Sequence, residues 1–192
     1  MPLDVVILGP PGAGKGTQGK RISAELGIPH VNTGDMYRAA VAAGSELGGR
    51  VKPIMDAGDL VPDDLTIDVV RARLADGDTR EGFVLDGFPR TLRQARALDE
   101  ILAESERELT LVLDFQLPEE LAEQRLLKRA LEQGREDDTP EVIHRRMQTM
   151  RVPDELVAFY RAKGILVGIH ADRTIDEVFA EVQSVLATAA AR

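Results

Sequence analysis

Gly9-Pro10-Pro11-Gly12-Ala13-Gly14-Lys15-Gly16-Thr17 follows the apolar run Val5 to Leu8 and precedes a segment carrying Ile22 and Leu26 at helical spacing. Between a strand and a helix, glycines let successive backbone N–H groups converge on phosphate oxygens, the helix presents its positive end, and a lysine reaches toward the β and γ phosphates. An ordinary glycine-rich turn needs neither the lysine nor the two flanking elements. All three are present, and the stretch reads as a phosphate-binding loop. It departs from the general pattern at one place: Gly16 stands where Ser or Thr usually follows the lysine, and Thr17 comes one residue later. Direct ligation of magnesium by a hydroxyl at position 16 is therefore not expected.

Apolar runs comparable to Val5 to Leu8 recur at Phe83 to Leu85, Leu109 to Phe115 and Ile165 to Ile169, each followed by a helical pattern. Strands buried on both faces read this way. The pattern predicts an α/β fold, a P-loop doubly wound parallel sheet flanked by helices, with its ligand crevice at the carboxyl ends of the strands. His30 and His170 are expected to end strands and His144 to lie in a helix; their spacing resembles no metal site. Thr174-Ile175-Asp176-Glu177 reads as a capping box ahead of Val178, Phe179, Val182, Val185 and Leu186. Thr139 is a suitable N-cap for a helix with Pro140 in its first turn, Pro118 suits another first turn, and Pro153 is expected to kink or restart its helix. From Asn32 to Val61 the alternation stops. Met36, Tyr37, Val41, Leu47, Val51, Ile54 and Met55 give helical character without a clear strand, which predicts a helical insertion projecting from the sheet.

The chain has 192 residues, 43% of them hydrophobic and only 4% aromatic, enough for one domain that hides roughly 70% of its unfolded surface without a staple. Cysteine is absent and histidine occurs three times, which excludes Cys-based zinc sites, disulfide frameworks and thiol nucleophiles. No apolar run approaches the ~18 residues of a membrane span, and no charged n-region precedes Val5, so a cytoplasmic protein is expected. The net charge of −9 argues against broad attraction to nucleic acid or an anionic membrane. Any polyanion must be held locally, and 19 of the 24 basic residues are arginine, whose forked guanidinium suits phosphate.

Phe83-Val84-Leu85-Asp86 places an acidic group at the end of a hydrophobic strand, the position of a Walker B carboxylate. Alone, Asp86 would be read as a turn aspartate before Gly87; beside a phosphate loop it is a candidate to organise Mg2+, through water.

Asp86-Gly87-Phe88-Pro89-Arg90-Thr91, with Gln94 three residues on, resembles the nucleoside monophosphate kinases, the adenylate kinase branch in particular. The resemblance continues through Asn32-Thr33-Gly34-Asp35-Met36-Tyr37-Arg38, Ile54 to Val61, Arg129, Gly134-Arg135-Glu136-Asp137-Asp138 and Arg146, and so spans nearly the whole chain. It implies a five-stranded core domain (1–31, 62–129 and 139–192), an NMP-binding insertion (32–61) and a short lid (130–138). It also implies reversible, Mg2+-dependent transfer of the ATP γ-phosphoryl group to AMP, giving two ADP by direct in-line displacement and serving adenine nucleotide homeostasis, in a monomer. Zinc in the lid is excluded by the missing cysteines.

Carried onto this sequence, the resemblance gives ATP to Gly12, Ala13, Gly14, Lys15, Gly16, Thr17, Arg129 and Arg173. It gives AMP to Thr33, Arg38, Asp59, Leu60, Val61, Gly87, Phe88, Pro89, Arg90, Gln94, Arg135 and Arg146. Lys15, Arg38, Arg90, Arg129, Arg135 and Arg146 form the catalytic set. The chemistry independently wants such a set: MgATP and AMP bring together about six negative charges before the metal is counted, and phosphoryl transfer is mostly positioning and charge stabilisation. Any one of these arginines, taken singly, would be read as a solvated charge.

Several roles stay double. Gln94 can read adenine with its acceptor and donor, yet Thr91-Leu92-Arg93-Gln94 is also a capping box. Asp137 and Asp138 either favour a helix N-terminus or latch the lid. Arg173 replaces a glycine of short-lid relatives, and its side chain either stacks on the ATP adenine or points to water. UMP/CMP kinases, the nearest alternative, typically have alanine at the Thr33 position and asparagine at that of Thr91, which favours AMP. A P-loop switch protein is the alternative of another class; no Asn-Lys-x-Asp motif occurs, and a second phosphate grip around Arg38 and Arg90 would be idle in it.

Overall fold

A computed structural model describes residues 2–133 and 139–190. Strands β1 (Leu3–Leu8), β2 (His30–Asn32), β3 (Gly82–Asp86), β4 (Leu111–Gln116) and β5 (Leu166–His170) form one parallel sheet in the order β2-β3-β1-β4-β5. Chain order reverses at β1, whose carboxyl end therefore opens the crevice expected of a doubly wound sheet. The helices are α1 (Lys15–Leu26), α2 (Thr33–Ala42), α3 (Glu46–Asp56), α4 (Asp63–Leu74), α5 (Leu92–Ala103), α6 (Glu119–Gln133), α7 (Pro140–Thr149), α8 (Asp154–Ala162) and α9 (Ile175–Ala190). No described helix is long and apolar enough to cross a membrane.

The unbroken apolar runs are explained by two cores. Val5 and Ile7 face a layer containing Ile22 of α1 with Val178, Val182 and Leu186 of α9. Val6 and Leu8 face the opposite layer, with Val70 of α4, Leu98 of α5 and both Leu156 and Tyr160 of α8. Because side chains alternate along a strand, a strand covered on both faces needs an apolar residue at every position. Each such side chain contributes about 1.5–3 kcal/mol when fully buried.

The edge strand differs from expectation. His30 begins β2 rather than ending a strand, and β2 pairs only with β3, over three residues. An element this short leaves no apolar run to read. The helix starts follow their local chemistry. Thr174 Oγ1 accepts from the Glu177 N–H at 3.3 Å while Glu177 Oε2 accepts from the Thr174 N–H at 3.0 Å. Thr139 caps α7 at Val142 N–H with Pro140 in the first turn, and Pro153 precedes α8, restarting the helix.

Between β2 and α4 lie α2 and α3, which bury their own small core of Tyr37, Val51 and Val61. This is the helical insertion, and Gly48 sets how closely its helices approach: a Cβ there would sit 2.2 Å from the Ala40 carbonyl oxygen. Helix α6 runs through Gln133, so the first four residues of the expected lid are helical. Its remaining residues, 134–138, lie outside the described part of the chain.

Candidate active site

The glycine loop leaves the carboxyl end of β1 and passes against α6. Gly12 has φ +83°, and a Cβ on it would meet the Ala122 carbonyl oxygen at 2.6 Å, so both conformation and clearance require glycine. Lys15 opens α1 and folds its ammonium back over the loop, where Nζ donates to the carbonyl oxygens of Gly9 (2.9 Å) and Pro10 (2.7 Å). Burial lowers its pKa from 10.5 to about 7, with the positive charges of Arg90 and Arg129 acting in the same direction and Asp86 opposing. The lysine is thus a cation short of counter-charge.

Asp86 ends β3, in register with Ile7 of β1 and Asn32 of β2. Its Oδ2 accepts from Asn32 Nδ2 at 2.6 Å, and His30 Nε2 lies 3.6 Å from the same oxygen. Burial alone would raise its pKa; the neighbouring His30 ring and the charges of Lys15 and Arg90 outweigh burial and hold it below the usual carboxylate range. Among the described residues no three His, Cys, Asp or Glu side chains gather to hold a metal. One ionised carboxylate beside the phosphate loop, 3.8 Å from where a Cβ on Gly16 would stand, nevertheless fits Mg2+. That ion commonly keeps several waters and binds through one or two carboxylates and substrate phosphates.

The Phe88-Pro89 peptide is cis, and Arg90 beyond it donates through Nε to the Gly87 carbonyl at 3.1 Å. Burial pushes the Arg90 pKa down from its usual value and Asp86 opposes this. Arg38, on α2, donates to Asp35 Oδ1 at 2.5 Å. These two, Lys15, Arg129 of α6 and Arg146 of α7 line one cleft of about 820 Å³. The same cleft is lined by Gly12 to Thr17, Thr33, Asp59 to Val61, Asp86, Gly87, Gln94 and Arg173. Phe88 does not line it, being 1% exposed and packed in the core, and Pro89 faces a separate small space beside Ile7 and Leu8. Arg135, Asp137 and Asp138 lie outside the described residues.

Two side chains behave in ways the sequence does not announce. Arg173 lines the cleft while its guanidinium is paired with Glu181 of α9, and its carbonyl oxygen accepts from Arg125. Arg125 was not anticipated. It lines the cleft and donates to the carbonyls of Ala171 (2.8 Å) and Arg173 (3.3 Å), securing the loop before α9. Its position four residues before Arg129, on the same face of α6, is the signal that could have found it.

A phosphate loop at the reversal point of a parallel sheet, sharing one cleft with cations from three helices and from the loop after β3, defines an enzyme that handles phosphoryl groups. The chain matches the family described as adenylate kinase over residues 7–165. It is 47% identical over 183 residues to an adenylate kinase of Thermus thermophilus (95% of this chain, 96% of the relative). It is 48% identical over 177 residues to one from Thermobifida fusca (92% and 94%), and 44% over 181 residues to one from Stenotrophomonas maltophilia (94% and 97%). The chain belongs to the adenylate kinase family, the nucleoside monophosphate phosphotransferases.

Proposed function

We propose that this chain transfers the γ-phosphoryl group of ATP to AMP, reversibly forming two ADP. The observation that carries the reading is that Lys15, Arg38, Arg90, Arg129 and Arg146 line one cleft together. Two anionic nucleotide tails carry about six charges, and a site that brings them together must offset their repulsion in place. The backbone from Gly12 to Thr17 and Lys15 hold the ATP phosphates. Arg38 and Arg90 grip the AMP phosphate, and Arg129, Arg135 and Arg146 meet the transferring group. An AMP phosphate oxygen attacks the γ phosphorus in line, and the bond from that phosphorus to the β-γ bridging oxygen breaks. The nucleophile is already an anion, so no general base is required. Guanidinium groups suit this work because they stay protonated through the transfer.

Asp86 holds Mg2+ through water in this reading. Bound there, Mg2+ would supply neutralisation of phosphate charge, with Asp86 as the carboxylate that would hold it. Thr33, the Asp59 to Val61 segment and Gln94 receive the AMP base, and the Arg125-secured loop around Arg173 borders the ATP base. Residues 32–61 act as the NMP-binding insertion and 130–138 as a short lid on a core of 1–31, 62–129 and 139–192. One chain supplies every group named, which supports action as a monomer. The charge of −9 supports a protein without a nucleic-acid or anionic-membrane partner, and the cytoplasm is the compartment we propose for it.

The test is turnover with ATP and magnesium against AMP, UMP, CMP and GMP at matched concentrations. AMP should be the best acceptor. Faster turnover with UMP or CMP would refute the base assignment, and no turnover with any monophosphate would refute the reaction.

A further inference from the structure

The start of α5 is organised around Gln94, which is 2% exposed. Thr91 Oγ1 caps the helix, accepting from the Gln94 N–H at 3.2 Å. The returning contact of a capping box would run to the Thr91 N–H; instead Gln94 Oε1 accepts from the backbone N–H of Arg90 at 2.7 Å. A carboxylate from another helix completes the group. Asp63, the first residue of α4, accepts from Gln94 Nε2 through Oδ1 (2.7 Å) and from Thr91 Oγ1 through Oδ2 (2.9 Å). Asp63 stands two residues after Val61 and is not among the residues lining the cleft, whereas Gln94 is.

An amide turned end for end keeps its shape and exchanges its donor for its acceptor, so only its partners decide which way it points. A carboxylate only accepts and a backbone N–H only donates. Asp63 therefore draws the Gln94 NH2 toward α4, and Arg90 draws the carbonyl toward itself. One N–H and one acceptor lone pair of the amide are left over in a fixed order. Adenine presents a ring acceptor beside an amino donor, the complement of an amide; guanine presents a carbonyl beside a ring N–H, the reverse arrangement.

We infer that Asp63 is a positioning residue for choice of the acceptor base: it fixes the polarity of the Gln94 amide without touching the nucleotide. The same carboxylate couples that polarity to the phosphate grip, because Gln94 also holds the Arg90 backbone. The inference rests on the reading of Gln94 as a contact for the AMP base.

Asp63→Asn tests it, since an asparagine of equal size can satisfy Gln94 in either orientation. The KM for AMP should rise about tenfold, as for one well-made neutral hydrogen bond between Gln94 and the base lost when the amide is no longer held in one order. The preference in kcat/KM for AMP over GMP should fall by a similar factor. The kcat at saturating AMP and the KM for ATP should stay within about twofold of wild type, because no group touching ATP has changed. Thr91→Ser, which keeps both hydroxyl contacts, should behave as wild type. Unchanged AMP KM and base preference in folded Asp63→Asn overturns the inference. So does equal loss with every acceptor alongside a lowered melting temperature, which marks a brace between α4 and α5. Asp63→Ser serves if Asp63→Asn does not fold, and failure of both to fold likewise assigns a bracing role and overturns it. A wild-type enzyme that does not prefer AMP defeats the proposed function instead, so the two failures are distinct.

Discussion

Arg145 of α7 donates through Nε to Asp59 Oδ1 at 2.8 Å, tying α7 to the segment between α3 and α4. One turn later Thr149 Oγ1 donates to the Gly58 carbonyl at 3.0 Å. Both partners of the ion pair are about half exposed, at 53% and 42%. A double-mutant cycle with Arg145→Ala and Asp59→Ala, read by urea unfolding, should return a coupling of ~0.2–1 kcal/mol that shrinks as salt is added. A larger, salt-insensitive coupling would show that the pair is desolvated.

Lys15 should take up a proton when phosphate arrives. With its pKa near 7 in the free protein it is mostly neutral at pH 8, and nucleotide anions stabilise the charged form. Calorimetry of MgATP binding at pH 8, in buffers of different ionisation enthalpy, should show uptake approaching one proton. The uptake should vanish at pH 6 and in Lys15→Met. Turnover of Lys15→Met should fall by about 10² or more, as for loss of a charge-stabilising donor.

The same shift has a stability consequence. Between pH 7 and 10.5 the folded Lys15 binds fewer protons than the unfolded one, so its contribution makes stability rise with pH across that window. Urea unfolding from pH 7 to 10 should show a shallower rise in Lys15→Met than in wild type.

Asp4, 1% exposed, lies at the end of β1 remote from the glycine loop and is gripped by Arg107 through Nε (3.0 Å) and Nη2. Arg107 also donates to the Thr79 carbonyl at 2.9 Å. Arg107→Met leaves a buried carboxylate without its counter-charge and should cost ~3–5 kcal/mol in denaturant unfolding. The kcat of the folded fraction should be unchanged, because the pair sits at the other end of the sheet from the cleft.

Neighbouring glycines of α3 should respond in opposite directions. Gly49 has open space where a Cβ would go, so Gly49→Ala should stabilise by up to ~1 kcal/mol through helix propensity. In Gly48→Ala that gain is overridden by the clash with the Ala40 carbonyl, for a net loss of about 1–3 kcal/mol. Thermal melts of the two variants decide.

Four strands, the glycine loop, the caps at Thr139 and Thr174, and the insertion were legible because each rests on local chemistry: periodicity, backbone freedom, or a side chain reaching a few residues along the chain. For β2 a strand was legible at His30 but not its bounds, which run from His30 to Asn32, since three residues at a sheet edge carry no period. Gln94 illustrates the boundary. Its residue type allows a cap or a base contact, and the contact that orients its amide comes from Asp63, 31 residues earlier. Arg173 was likewise open until Glu181 of α9 was seen to hold it. Residue identities along the chain dictate which groups can bind phosphate and where strands and helices form. Packing alone dictates which partner each polar side chain meets, because a hydrogen bond or ion pair between distant segments depends on distances that only the folded sheet sets.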